Sequence, residues 1–513
     1  MSEVVVKNPA TGESLYATPA PSDEQLKEMF ERAKVAYEKT RVMDVRSRVR
    51  EIGKLKGYIL DQKERITRRI CQETGKCRTD ALLVEVYSVL DFIQYYEKHA
   101  ERILGDMKVP TPLAMYPRTS RVWFEPLGPV LVIAPWNYPL VLSFQPVISA
   151  FLAGNSVLLK PSDYTPLMGL YEEMIAESGF TPDAIQVVYG AGDVGRKLID
   201  LHPSKVFFTG SVATGRKIMA QASERLIPIE LELGGKDPML VFADADVERA
   251  ANGALWGGMV NSGQTCTSVE RAYVHKTIYE DFLARLRENA GLLRASGDVS
   301  EDAGGEVDMG CMTTDFQVKV VQTHVADALA KGARLIAGGG LVSGTRKHAP
   351  TILADVRPDM LVLKEETFGP IVAVVSFDSE EEVIAMANDS EFGLSASVWT
   401  RDMSRAERIA RALVTGNVSI NDVLATQANS ALPFGGVKDS GFGRYKGPFG
   451  LHAFCNIKSV SINKGNSVSE RNWYPYSKEK YAVFSELLEA LFRGKRPSIL
   501  RALMLRSRLA RLK

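Results

Sequence analysis

Three patterns of apolar and polar positions follow one another along the chain. Residues 22–105 carry apolar side chains at helical spacing, opened by Ser22-Asp-Glu-Gln, which has the form of a capped helix start. From about residue 128 short apolar runs take over: Val130-Leu-Val-Ile-Ala134, Ser156-Val-Leu-Leu159, Ile185-Gln-Val-Val188 and Lys205-Val-Phe-Phe208. They alternate with helical stretches at 139–153 and 165–178. Such alternation predicts a parallel sheet wound with helices, with ligands at the carboxyl ends of the strands. A second alternating region has helices over 246–262, 276–293 and 379–388, the segment Met309–Lys331, and a strand Ile371-Val-Ala-Val-Val375. Pro110 to Arg121 and Ser459 to Asn463 read as extended segments outside both regions.

The last part of the chain differs. Phe484, Leu487, Leu488, Leu491 and Phe492 fall on one helical face. Beyond Gly494 and Pro497, the apolar residues Ile499, Leu500, Leu503, Met504, Leu505, Leu509 and Leu512 scatter among arginines, which predicts a loosely amphipathic helix.

Charge sharpens this boundary. The 513 residues carry a formal net charge of +1, yet Arg493, Lys495, Arg496, Arg501, Arg506, Arg508, Arg511 and Lys513 lie in a final stretch without acids. Without those eight, 55 basic residues face 62 acidic ones, a body of −7 and a tail of +8. Such a body has no electrostatic reason to bind nucleic acid, so a polyanion or anionic membrane would have to engage the tail. The length suits two or three domains, and no residue type is abundant enough for a disordered, collagen-like or disulfide-scaffold chain.

Five cysteines (Cys71, Cys77, Cys266, Cys311 and Cys455) without CxxC spacing point to a reducing compartment and away from a zinc site. The N-terminus lacks the basic and apolar regions of a signal peptide. No apolar run approaches the roughly 18 residues that span a bilayer. The expectation is a soluble cytoplasmic protein.

Candidate chemistry clusters at the ends of the apolar runs. Gly190-Ala-Gly-Asp-Val-Gly195 matches GxGxxG, but the next strand ends Phe208-Thr-Gly-Ser211 without the acid that a ribose would need, so a plain glycine turn is the alternative. The other motifs gain force from their order: Trp136-Asn137-Tyr138-Pro139, Lys160-Pro-Ser-Asp163, Phe208 to Gly215, Glu230-Leu-Glu232-Leu-Gly-Gly-Lys236, Asn261-Ser-Gly-Gln-Thr-Cys266, Glu365-Glu366-Thr-Phe368-Gly-Pro370 and Pro433 to Arg444.

This ordered set, over residues 4–464, resembles the NAD(P)-dependent, non-acylating aldehyde dehydrogenase family. The resemblance implies an α/β fold, aldehyde-dehydrogenase-like: a Rossmann-like cofactor domain (1–105 and 123–233), an α/β catalytic domain (234–440) and a small β oligomerisation flap (106–122 and 455–464), with 465–513 as an appended tail. It further implies a homodimer or homotetramer acting on a small-molecule aldehyde, without a metal.

By the same resemblance Cys266 is the nucleophile, a role suited to a thiolate that attacks a carbonyl and leaves a hydrolysable thioester. Asn137 would stabilise the oxyanion with a neutral amide, together with the Cys266 N–H. Glu232, between Leu231 and Leu233, would be the base that activates water, and its apolar setting should raise its pKa. Glu230 reads as a solvated acid. Ser211 at a helix start would face the pyrophosphate, Lys160 and Glu366 would hold ribose hydroxyls, and Phe368 would pack on the nicotinamide. Trp136, Ser162, Gly190, Gly210 and Leu233 join the implied cofactor site.

Asp163 stands where many NAD-preferring relatives have a glutamate, which favours NAD and leaves NADP open. Val260, beside Met259, stands where succinate-semialdehyde enzymes often carry an arginine. With Thr265 and Phe434 these residues predict an apolar pocket for aliphatic or aromatic aldehydes. Arg444 and Lys438 belong to a shared motif and do not restore the semialdehyde reading. A coenzyme A-dependent dehydrogenase typically lacks the glutamate, and a silent protein on this fold would not need all of Asn137, Glu232 and Cys266. The 481–492 helix and basic tail would either dock on an anionic membrane or pack on protein, leaving a solvated basic end.

Overall fold

The structure, a computed structural model, describes residues 3–112, 115–295, 305–341, 345–466, 468–493, 498–509 and 511. The chain forms two compact units: one runs up to Leu104 and resumes over Phe124–Asn456, and the other joins Gly105–Trp123 to the chain from Ile457 onward.

The first unit opens with an antiparallel strand pair, Glu3–Lys7 and Ser14–Pro19, followed by helices Asp23–Thr40, Val45–Asp61 and Lys63–Thr74. Ser22 accepts the Gln25 N–H while the Gln25 side chain returns the bond, a capping box that fixes the first helix start. A six-stranded sheet follows, in the order Gly441–Phe442, Ile229–Glu232, Lys205–Thr209, Pro129–Ile133, Ser156–Lys160, Ile185–Val187. Its last five strands are parallel, and Gly441–Phe442 is antiparallel at one edge. The chain builds outward from Pro129–Ile133 to Ile185–Val187, then returns to add Lys205–Thr209 on the other side. The strand order therefore reverses beside Pro129–Ile133, where open α/β sheets bind ligands.

The second sheet has seven strands in the order Arg334–Ala337, Thr351–Ala354, Ile371–Phe377, Val269–His275, Asp237–Val241, Ser395–Trp399, Asn417–Ile420, parallel except for the first. The central strands of both sheets are buried along their length, as a layer covered by helices on each face requires.

Two helices are shorter than the apolar spacing predicted. The one expected over 165–178 is Leu170–Glu177, because Gly169 before it is left-handed and Thr165 is held by the Trp136 carbonyl at 2.9 Å. The one expected over 246–262 ends at Met259, where Asn261, Ser262 and Gly263 all turn left-handed.

The second unit carries most of a three-stranded sheet in the order Cys455–Ile462, Thr119–Pro126, Met107–Val109. Cys455–Ile462 is an edge strand and largely exposed. The unit ends in a helical hairpin, Lys478–Phe492 and Ile499–Leu509, whose core is Val483, Leu487, Ala490, Ala502, Leu505 and Leu509. The expected apolar face is thereby corrected. Leu487 is buried and Phe484 and Leu491 are partly so, but Leu488 and Phe492 point away from the hairpin core and are exposed. A wheel without a partner cannot tell these two sides apart. The tail residues Gly494, Lys495, Arg496, Pro497, Leu512 and Lys513 lie outside the described residues. Among the described residues no helix is long and apolar enough to cross a membrane.

Candidate active site

The loop that carries Cys266 is shaped by its three left-handed residues. At Gly263 (φ +72°) a Cβ would stand 2.1 Å from the Gly369 carbonyl oxygen, so the chain can pass only as glycine. Cys266 is partly exposed, whereas Cys71, Cys77, Cys311 and Cys455 are buried, and none of the five forms a disulfide. Burial raises the Cys266 thiol pKa, and the carboxylates of Asp237, Glu366 and Glu232 add to that.

Asn137, just past strand Pro129–Ile133, faces the same loop. Its Nδ2 donates to the Gln264 carbonyl (3.0 Å), and Tyr138 meets Thr265 hydroxyl to hydroxyl at 2.6 Å. Its own carbonyl accepts from Asn261 Nδ2 (3.0 Å) and from Lys76 Nζ (2.7 Å).

Lys76 is fully buried, pairs with buried Glu85 at 2.5 Å and lies 4.0 Å over the Tyr138 ring. Glu85 also accepts the Leu140 N–H (2.7 Å), and Asp80 accepts the Asn261 N–H (2.8 Å). The segment bearing these acids includes a π-helical turn, Ala81–Tyr87. These three charged residues were missed by sequence reasoning. They look like ordinary polar positions of a surface helix, and their partners lie between 9 and 181 residues away.

Glu232 ends strand Ile229–Glu232, is buried, and has one carboxylate oxygen, Oε2, without a hydrogen bond. Burial lifts its pKa well above the usual carboxylate range. Glu230 lifts it further, while Arg444 and Lys446 oppose the shift. Glu230 itself corrects the expectation of a solvated acid: it is buried and pairs with Lys205 at 3.4 Å. Its strand runs between Lys205–Thr209 and Gly441–Phe442, so both neighbours cover it.

Lys160 ends its strand, buried, with Nζ donating to the Pro161 carbonyl at 3.1 Å. Ser162 accepts the Tyr164 N–H, and Asp163 is half-buried beside it. Gly210 leads from strand Lys205–Thr209 into helix Val212–Ser223, and Ser211 caps that helix by accepting the Thr214 N–H. Gly190 follows the edge strand Ile185–Val187, away from the strand-order reversal, yet the helix after it brings Gly195 against the Lys160 side chain. Leu233 is buried against Gly215.

Glu366 accepts the Gly235 N–H (3.1 Å), and a Cβ on Gly234 would lie 2.2 Å from its carboxylate. Burial and neighbouring Glu270 push the Glu366 carboxyl up to about 8. Phe368 sits edge-on to Trp136 at 5.4 Å. Met259, Val260, Thr265 and Phe434 are all buried, and Phe434 pairs with Tyr445 through two backbone hydrogen bonds. Among the described residues no group of three His, Cys, Asp or Glu side chains could hold a metal ion.

The model of the aldehyde dehydrogenase family matches residues 2–460. The 4,4'-diapolycopene aldehyde oxidase of Methylomonas sp is 43% identical over 494 residues, 96% of this chain and 92% of that one. A betaine aldehyde dehydrogenase of Cereibacter sphaeroides is 37% identical over 465 residues, 89% of this chain and 93% of that one. Among solved structures, the NAD+ complex of an aldehyde dehydrogenase from Bacillus cereus superposes with a TM-score of 0.85 at 34% identity, covering 90% of this chain and 94% of that one. With its fold and these likenesses together, the chain belongs to the aldehyde dehydrogenase family.

Proposed function

We propose that the chain oxidises an apolar aldehyde to its carboxylic acid, with Cys266 as nucleophile, Asn137 in the oxyanion site and Glu232 as general base. The observation that carries this reading is the arrangement around Cys266: the Asn137 loop is laced to the Cys266 loop by hydrogen bonds, and the buried Glu232 carboxylate, which has an unpartnered oxygen, acts electrostatically on the Cys266 thiol. The thiolate adds to the aldehyde carbon, and the oxyanion is met by the Asn137 amide, which turns from Gln264 to do so, and by the Cys266 N–H. Glu232 then takes a proton from water, whose oxygen attacks the thioester and releases the acid.

The cofactor residues fit NAD. The N-terminus of helix Val212–Ser223 offers N–H groups to a pyrophosphate, the buried ammonium of Lys160 can meet ribose hydroxyls, and Gly234 leaves space beside Glu366 that any Cβ would fill. NAD, when bound, accepts the hydride. Half-buried Asp163 favours NAD over NADP.

Residues 1–105 with 123–233 form the cofactor domain in this reading, 234–440 the catalytic domain, and 106–122 with 455–464 a flap whose exposed edge strand would join a second copy in a homodimer or homotetramer. Five cysteines without a disulfide suit a reducing, cytoplasmic setting.

Met259 and Val260 favour an apolar aldehyde over succinate semialdehyde, and the 43%-identical relative is named for a long apolar one. Residues 1–464 make up about nine-tenths of the chain, so a match covering 96% runs into the tail. The tail then serves as a contact with anionic lipid, where apolar aldehydes dissolve. On helix Ile499–Leu509 the outward Leu500, Leu503 and Met504 are exposed and flanked by Arg501 and Arg508.

A panel of apolar, aromatic and acidic aldehydes, assayed with NAD and NADP in the absence of coenzyme A, tests the reaction. Acid formation with apolar aldehydes is expected, lost in Cys266→Ser. A strict need for coenzyme A, preference for succinate semialdehyde, or activity surviving Cys266→Ser would each overturn the reading.

A further inference from the structure

Just beyond the last motif stands a lysine in an unfavourable place. Lys446 is 1% exposed, and its backbone (φ +68°, ψ 167°) lies in a region that essentially only glycine adopts without strain. Its Nζ donates to the Gln427 carbonyl and lies 5.4 Å from the Phe434 ring and 5.7 Å from the Tyr445 ring, with no ion pair among the described residues. Phe434 and Tyr445 are bound backbone to backbone, and at Gly435, next along the chain, a Cβ would stand 2.8 Å from Glu232 Oε1. A buried, strained cation without an ion pair is costly twice over.

We infer that Lys446 is a positioning residue for both halves of the reaction, its ammonium supplying the positive charge against which the Cys266 thiolate and the Glu232 carboxylate form. The groups that act on it are Glu232, Cys266 and Asp91, all favouring its charge, whereas burial opposes it and brings its pKa down to about 8. Other charges bear on the same pair: Arg444 and Glu230 on Glu232, and Asp237 and Glu366 on Cys266. Lys446 is therefore charged at neutral pH and loses its proton above about 8, so its help fades on the alkaline side.

The inference rests on the roles proposed for Cys266 and Glu232, but its test needs no aldehyde turnover. Alkylation of Cys266 by iodoacetamide, read by mass spectrometry of its peptide, follows the thiolate fraction. Lys446→Gly suits the backbone conformation and should fold. Its alkylation near pH 7 is expected to be roughly tenfold slower than wild type, with the gap closing by about pH 9, where the wild-type lysine is also neutral. Lys446→Arg, charged throughout, should restore the rate and remove the alkaline closing of the gap. A Lys446→Gly profile that overlays wild type, or a Lys446→Arg profile that matches Lys446→Gly, would overturn it. Should the glycine variant not fold, the arginine profile decides alone: an unchanged alkaline limb counts against the proposal. Failure of the underlying roles would appear differently, as turnover by Cys266→Ser.

Discussion

The catalytic centre and the C-terminal hairpin depart from the same rule in opposite directions. Around Asn137 the chain buries charge: Lys76 and Glu85 are fully enclosed. On the hairpin it exposes large apolar groups, with Leu500 at 72% and Phe492 at 76%. Folded chains usually do the reverse on both counts. The two departures are compensated differently. Each buried charge has partners that fix its direction, so the network aims Asn137 at the Cys266 loop. The exposed apolar seams fix nothing inside the hairpin, whose core is formed without them. Charge hidden with partners serves internal geometry, whereas the open apolar surface takes no part in the hairpin's own core.

The largest effect should follow from breaking the internal network. Lys76→Met leaves Glu85 buried without its cation, and urea unfolding should show a loss of about 3–5 kcal/mol. Adding Glu85→Gln should recover part of this, since the amide can still accept the Leu140 N–H. If Lys76→Met were as stable as wild type, the pair would be ornamental to the fold. Next, Glu232→Gln should slow steady-state turnover roughly 10²–10⁴-fold while sparing the first burst of product, because only water activation is lost. Stopped-flow absorbance separates the two phases, and a lost burst would move Glu232 to the earlier step.

A pH-dependent effect distinguishes Glu366. Its carboxyl is held up at about 8 by burial, against 4.5 for an unperturbed glutamate. The folded state binds the proton more tightly than the unfolded chain does. The stability this group contributes is complete below about pH 4.5 and drains away as pH rises through about 8. Glu366→Gln keeps an acceptor for the Gly235 N–H and cannot ionise, so its melting temperature should gain on wild type steadily across that window. Parallel curves would show that Glu366 does not titrate there.

The motifs could be read from the chain through their order, which resembles that of the aldehyde dehydrogenase family, although the Cys266 and Glu366 motifs follow helices rather than strands. The alternating runs gave the two sheets, since a strand covered on both faces must be apolar throughout. What escaped was everything that depends on a distant partner. Lys76 and Glu85 share a segment with exposed neighbours, and only tertiary packing reveals that both are enclosed. Glu230 alternates with apolar residues as a solvent-facing acid would, yet the Lys205 and Gly441 strands cover it. Leu488 and Phe492 lie on a plausible apolar face whose true centre is Val483, Leu487 and Ala490.

The smallest expected change in stability belongs to the hairpin, and it tests the other half of the contrast. Leu500 and Met504 point away from Ala502, Leu505 and Leu509, so replacing them with serine removes no core contact. Leu500→Ser combined with Met504→Ser should alter stability within about 0.5 kcal/mol. Activity on a short, water-soluble aldehyde should stay at the wild-type level. Co-sedimentation with phosphatidylglycerol vesicles at low salt should fall sharply, and so should oxidation of a long apolar aldehyde supplied in those vesicles. High salt should weaken the wild type too, because the flanking arginines act through charge. If the variant instead changed the mass of the assembly and left vesicle binding untouched, the seam would be covered by a second copy of the chain. That outcome would still uphold the contrast, since the exposed face would again owe its composition to a surface beyond the hairpin's own core.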